Sequence, residues 1–277
     1  MPKPHAHDLG LGHDLHTLRK RELSRRSLLR WSALSGLGLV TLAGCPKEAL
    51  TVGDGGTTDA DGGDADSCSA IPEETAGPYP GDGSNGVNAL VLSGIVRSDI
   101  RASVGDANGT AEGVPLTVTL TLVDPSDSCS PLAGCAVYLW HCDRDGNYSL
   151  YSSAIQQENY LRGVQEADEN GQVSFQTIFP GCYSGRWPHI HFEVYESLAA
   201  ATSASGLLAT SQLALPKATS DLVYATSGYE SSVSNLARIT LDSDNVFRDG
   251  ATTQLASMSG SVSAGYQAQL TVGVSVK

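Results

Sequence analysis

The sequence predicts an all-β fold, an antiparallel β-sandwich core with irregular loops and little helix. Three observations lead there. Apolar and polar residues alternate at period two in several short runs, clusters of turn-forming residues separate those runs, and no long stretch carries a helical repeat. In chain order, Leu116, Val118, Leu120 and Leu122 alternate with Thr117, Thr119 and Thr121, the pattern of a strand with one buried face. Residues 135–142 form the next candidate strand. Val173, Phe175 and Thr177 share a face within residues 172–179. Residues 189–195 and 236–241 are further candidates, and Leu270, Val272, Val274 and Val276 close the chain at period two. Asp145-Gly146-Asn147, Glu169-Asn170-Gly171 and Pro180-Gly181 supply turns between them. Residues 199–208 are too rich in Ser, Thr and Gly for a helix.

Two segments precede this pattern. Residues 1–44 read as an export leader. Ser24-Arg25-Arg26-Ser27-Leu28-Leu29 resembles a twin-arginine signal, and the apolar stretch from Trp31 to Val40 is too short to span a bilayer. Leu42-Ala43-Gly44-Cys45 has the form of a lipoprotein cleavage site, which makes Cys45 the expected lipidated first residue of the mature chain. An uncleaved membrane anchor is the alternative; the order of the three signals favours the lipoprotein, anchored at the cell envelope with the outer membrane or cell surface preferred. Residues 45–67 read as a disordered acidic tether of Gly, Asp, Thr and Ala with too little apolar content to offset chain entropy. Residues 68–277 suit one β-sandwich domain.

Without residues 1–44 the balance is 10 Lys+Arg against 27 Asp+Glu. Such a surface excludes nucleic acid, whose binding depends on cationic contacts to phosphate, and disfavours polyanionic substrates. Only His141, His189 and His191 remain of the seven histidines. Five cysteines follow Cys45, an odd number, and an exported chain permits disulfides; Cys129 with Cys135, and Cys142 with Cys182, are the pairings considered. No Cys-x-x-Cys pair supports a zinc site.

The chemistry concentrates in Arg186-Trp187-Pro188-His189-Ile190-His191. On a strand His189 and His191 point to the same side with Cα atoms about 6–7 Å apart, close enough for both imidazoles to reach one metal. Alone, a His-x-His is more often a pair of surface or structurally bonded histidines. Tyr148 and Tyr183, each directly after a strand and a glycine turn, are placed to project at a sheet rim, although an isolated tyrosine is usually a packing residue. Together, two imidazoles and two phenols make a hard ligand set suited to ferric iron, which can hold phenols ionised. His141 reads as a satisfied core histidine.

Residues 137–148 (Val-Tyr-Leu-Trp-His-Cys-Asp-Arg-Asp-Gly-Asn-Tyr), 175–183 (Phe-Gln-Thr-Ile-Phe-Pro-Gly-Cys-Tyr) and 186–192 resemble the intradiol ring-cleavage dioxygenases, the family of catechol and protocatechuate dioxygenases. The likeness extends to Pro72-Glu73-Glu74-Thr75-Ala76-Gly77-Pro78-Tyr79 and Ser211-Gln212-Leu213, and is strongest to exported members. The resemblance implies a non-haem Fe(III) cofactor held by Tyr148, Tyr183, His189 and His191, with a small aromatic diol and O2 as reactants and a cis,cis-muconate-type diacid as product. It implies that Tyr183 is the displaceable tyrosine, that Arg186 lies over the substrate ring, that Gln212 lies near the substrate oxygens, and that Gly77, Pro78, Tyr79 and Trp187 line the pocket. The link between Tyr183 and His189 is shorter than in the soluble enzymes of the family, so the pocket rim should differ. Two rivals are a non-catalytic surface sandwich that kept the fold and a zinc or copper hydrolase, which would leave both tyrosines unexplained.

Overall fold

The structure, a computed structural model, describes residues 69–276. The expected leader, the acidic tether and Cys45 lie outside the described residues. Among these residues nine strands form two sheets. One contains β1 (Pro115–Asp124), β2 (Ser130–Pro131), β5 (Gln172–Ile178), β8 (Ser257–Ser261) and β9 (Gly265–Gly273); the other runs β4 (Arg162–Glu166), β3 (Ala136–Trp140), β6 (His189–Tyr195), β7 (Leu207–Ala214). The all-β sandwich expected from the alternation is the observed architecture. Leu116, Val118, Leu120 and Leu122 of β1 and Val173 and Phe175 of β5 join Val137, Leu139, Ile190, Phe192 and Val194 of the other sheet in one core. Each such side chain contributes about 1.5–3 kcal/mol on burial, so the interleaved faces drive the sheets together.

The four-stranded sheet is covered on its second face as well. Ala136, Tyr138, Trp140 and Tyr195 pack there against Ala89, Leu90 and Ile95 of the irregular segment that precedes β1. Every residue of β3 and β6 is therefore buried, which is why β3 reads as a continuous apolar run, whereas β6 alternates His189, His191 and Glu193 with Ile190, Phe192 and Val194. Arg162 ties the covering segment down: its Nη1 donates to the Pro80 carbonyl at 2.7 Å and to Tyr138 Oη at 2.9 Å, its Nη2 to the carbonyls of Tyr79 (2.9 Å) and Ser149 (3.0 Å), and its Nε to Ser149 Oγ at 3.1 Å.

Three expectations are corrected. The sandwich is not wholly antiparallel, because β9 pairs parallel to β1 from Leu116↔Tyr266 to Val123↔Gly273; alternation fixes which face a residue occupies and carries no strand direction. Residues 236–241 are not a strand. They follow α2 (Glu230–Leu236), whose buried Ser232 and Leu236 lie one helical turn apart. A second helix, α1 (Lys217–Tyr224), buries Ser220, Val223 and Tyr224. Neither considered disulfide forms: Cys129 is disulfide-bonded, but Cys135, Cys142 and Cys182 are free and buried. The Cys142 and Cys182 thiols donate instead to the carbonyls of Gly181 and Arg186, both at 3.4 Å.

Candidate metal centre

The two halves of the site come from different local rules. His189 and His191 alternate along β6, and the register opposes His191 to Trp140 on one side and to Gln212 on the other. The imidazole of His191 stacks on the Trp140 indole with centroids 4.8 Å apart and planes 6° apart. Tyr148 follows the turn after β3, where Asp143 Oδ1 accepts the amides of Asp145 (3.0 Å) and Asn147 (2.8 Å). Gly146 stands at φ +87°, and a Cβ there would sit 3.0 Å from Tyr183 Cβ. Tyr183 follows β5 through Gly181, whose amide donates to the Asp143 carbonyl at 3.0 Å and whose own Cβ would lie 2.5 Å from the Arg144 carbonyl oxygen. The two tyrosine loops are thus held edge to edge with no room for side chains between them.

The helices support the Tyr183 loop. Tyr229 Oη donates to the Phe179 carbonyl at 2.7 Å and Tyr224 Oη to the Pro180 carbonyl at 3.0 Å. Ser232 Oγ accepts the Cys182 amide at 2.9 Å, and Asn235 Nδ2 donates to the Cys182 carbonyl at 2.8 Å.

Four ring donors converge. Tyr148 Oη lies 3.5 Å from Tyr183 Oη, 3.5 Å from His189 Nε2 and 3.3 Å from His191 Nε2. Tyr183 Oη is 3.2 Å from His189 Nε2, which is 3.1 Å from His191 Nε2. Four donors about 2.0 Å from one central ion, arranged tetrahedrally, stand roughly 3.3 Å apart, so these spacings fit a single metal ion. Hydrogen bonding alone does not account for the cluster. His189 Nδ1 faces the Trp187 carbonyl at 2.5 Å, which makes Nδ1 the protonated nitrogen and leaves Nε2 as a lone pair. That lone pair meets two phenols, a second imidazole and, at 3.4 Å, Arg186 Nη1. Among the described residues, no group of three or more His, Cys, Asp or Glu could hold a metal; the donor set is imidazole and phenol.

The electrostatics agree with a cation-binding site. Burial, and then the Arg186 charge, holds both imidazoles well below their ordinary pKa, so they are neutral donors at pH 7. Burial also pushes the Tyr183 phenol up to about 12 and Tyr148 well above its usual value. Only a strong positive charge at the centre would hold these phenols ionised. Tyr148, His189 and His191 are 2–3% exposed, whereas Tyr183 is half-buried.

Around this centre the other expected residues divide. Arg186 donates through Nη2 to Gln212 Oε1 at 2.6 Å, and Gln212 Nε2 donates to the Thr75 carbonyl at 2.8 Å. Gly77 passes against His191, with a Cβ position 3.4 Å from His191 Cε1, and the Tyr79 ring lies 4.9 Å from that of Tyr148. Pro78 is exposed, and its carbonyl accepts from Asn85. The Trp187 indole packs in the sandwich core and donates to the Leu215 carbonyl at 2.8 Å. His141 is the satisfied core histidine expected, between the Cys142 carbonyl and Thr177 Oγ1, both at 2.7 Å.

Sequence reasoning missed Asp244. Its carboxylate is fully buried and takes Arg186 Nε at 3.0 Å and the Trp187 amide at 2.6 Å. In a chain with 30 acidic residues, nothing in Asp242-Ser243-Asp244-Asn245 distinguishes this one.

Comparison with known proteins places this geometry in a family. The Dioxygenase family profile matches residues 97–194. The solved structure of an intradiol ring-cleavage dioxygenase from Tetranychus urticae superposes with a TM-score of 0.57 and is 30% identical, over 75% of this chain and 95% of that one. The chain belongs to the intradiol ring-cleavage dioxygenase family. A curated relative, the chlorocatechol 1,2-dioxygenase of Rhodococcus opacus, is 32% identical over 82 residues, which make up 26% of this chain and 32% of that protein. The Tetranychus urticae family member thus aligns along nearly its whole length, whereas the curated one matches over about a third of its own.

Proposed function

We propose that the protein is a non-haem Fe(III) dioxygenase that cleaves a catechol-type ring between its two hydroxyls with O2, giving a cis,cis-muconate-type diacid. The observation that carries this reading is the convergence of Tyr148, Tyr183, His189 and His191, with nearest donor spacings of 3.1–3.5 Å, beside the partly buried Arg186. These four side chains would hold the ion. When bound, ferric iron draws electron density out of a chelated diol and opens a ring carbon to O2.

The protein's own groups do the rest. Tyr183, the half-buried member of the four, is the one with room to turn outward and take a proton at Oη from the arriving diol. That transfer keeps the buried charge balanced. Arg186 stays cationic: burial works against its charge, but Tyr183 and Asp244 outweigh it. Its Nη1 faces the donor cluster and stabilises negative charge that develops on the ring. Tyr79 packs over Tyr148 and Gly77 against His191, so this segment borders the donor cluster on that side.

Oxygen consumption with catechol, protocatechuate and hydroxyquinol tests the activity; uptake with at least one, accompanied by a ring-opened diacid, supports it. No uptake by protein loaded with iron would favour a non-catalytic sandwich. We also propose that the enzyme works outside the cytoplasm, anchored through Cys45. Cys45→Ser should shift the protein from the membrane to the soluble fraction, and a substituted protein that stays membrane-bound would refute lipidation there.

A further inference from the structure

We propose that Asp244 is the positioning residue that fixes how Arg186 addresses the donor cluster; this rests on the dioxygenase reading above. Three parts of the guanidinium have distinct neighbours. Nε donates to Asp244 Oδ2 at 3.0 Å, Nη2 donates to Gln212 Oε1 at 2.6 Å, and Nη1 stands 3.4 Å from His189 Nε2. Two parts are clamped and the third is aimed at the centre. Each clamp is itself held: Gln212 by the Thr75 carbonyl, Asp244 by the backbone of its own turn.

The chemistry at position 244 calls for a carboxylate. Oδ2 accepts from Arg186 Nε and from the Trp187 amide at 2.6 Å, and Oδ1 accepts the amides of Val246 at 2.8 Å and Phe247 at 3.3 Å. Both oxygens act only as acceptors. An asparagine would turn its NH2 toward N–H donors on one side or the other. The carboxylate also links the arginine to the ligand strand, because it holds the Trp187 amide while the carbonyl of the same residue takes His189 Nδ1. The pair is electrically neutral, so Arg186 presents directed donors to the cluster without adding a net charge to a buried site. The acid comes from the loop after α2, outside the residues 97–194 matched by the family profile.

A purely structural role for Asp244, in which it only holds its own turn, makes a different prediction in a double-mutant cycle. With catechol as the probe, Asp244→Asn is expected to lower kcat/KM roughly 10- to 100-fold in the otherwise unsubstituted protein, with iron content and the visible absorption band unchanged. In an Arg186→Gln background the same substitution should change kcat/KM by no more than about twofold, since the group it positions is gone. Equal losses in both backgrounds would overturn the proposal. If Asp244→Asn does not yield folded protein, the unsubstituted metal-free protein decides by NMR. The Arg186 Nε–H resonance, assigned by its absence from Arg186→Gln, should be protected from exchange in D2O; a freely exchanging Nε–H overturns the proposal. Because this second measurement requires no turnover, its outcome is separate from whether any diol is cleaved.

Discussion

At pH 7 none of the four ring donors carries a charge of its own: the imidazoles are held neutral and the phenols protonated by burial. On the proposed reading, a trivalent cation would ionise the two phenols and leave the imidazoles as the neutral donors they already are. Tyr148→Phe and His191→Ala each remove one donor from the group. Both should reduce iron content and lower catechol-dependent O2 uptake by more than the roughly 10- to 100-fold usual for outer partners of a metal site. Iron analysis and oxygen electrode traces check this, and undiminished turnover in either variant would take that residue out of the site. Spacing alone showed that both His rings lie on one side of a strand, but not that they form a site; the tyrosines and the family resemblance pointed there. The tyrosines were legible as positions after glycine turns; their grouping with the histidines was implied by the family resemblance, and the distances came from the fold. Gln212 was reachable through family resemblance. Asp244 was not legible, because a buried carboxylate and a solvated one look alike in a sequence.

At the scale of the elements, a glycine turn sets the distance between the two tyrosine loops. Gly146→Ala places a side chain at φ +87° with its Cβ 3.0 Å from Tyr183 Cβ. The left-handed conformation alone costs an L-residue about 1–2 kcal/mol, and the contact pushes Tyr183 off its position. The expected result is a lowered melting temperature together with a shifted or weakened absorption band; a variant with both unchanged would show that the turn does not set the site. Period-two alternation made β1, β5 and β9 legible, because each has one face in the core and one toward solvent. It gave no strand polarity, so the parallel β1–β9 pairing was missed. The short helices were missed for another reason: α2 has only seven residues, and its buried Ser232 and Leu236 leave little periodic signal. Yet the loop that follows this misread stretch carries Asp244.

For the molecule as a whole, buried titratable groups set opposing pH dependences in the metal-free protein. Burial lowers His141 from 6.5 to about 4. The unfolded chain gains a proton there that the folded chain refuses, so stability falls on acidification across that window, by about 1.4 kcal/mol per pH unit. His189 and His191 act in the same direction. Glu193 acts in the other. Burial, and then the neighbouring Asp82 charge, raises it from 4.5 to about 8, while the Tyr195 hydroxyl and the Glu73 charge bear on it more weakly. The folded chain keeps a proton that the unfolded one releases, so stability falls as pH rises through that range. The metal-free protein should be most stable near about pH 6.5, and Glu193→Gln should flatten the decline above it. Thermal melts of both proteins from mildly acidic to mildly basic pH check this, and a melting temperature that keeps rising toward pH 8 in the unsubstituted protein would contradict it. The central claim, that two phenols and two imidazoles share one ferric ion, is tested most directly by an absorption spectrum taken with an iron assay on the same sample. One iron per chain with a red-brown phenolate-to-Fe(III) charge-transfer band is the predicted result; a colourless protein with one iron per chain would contradict it.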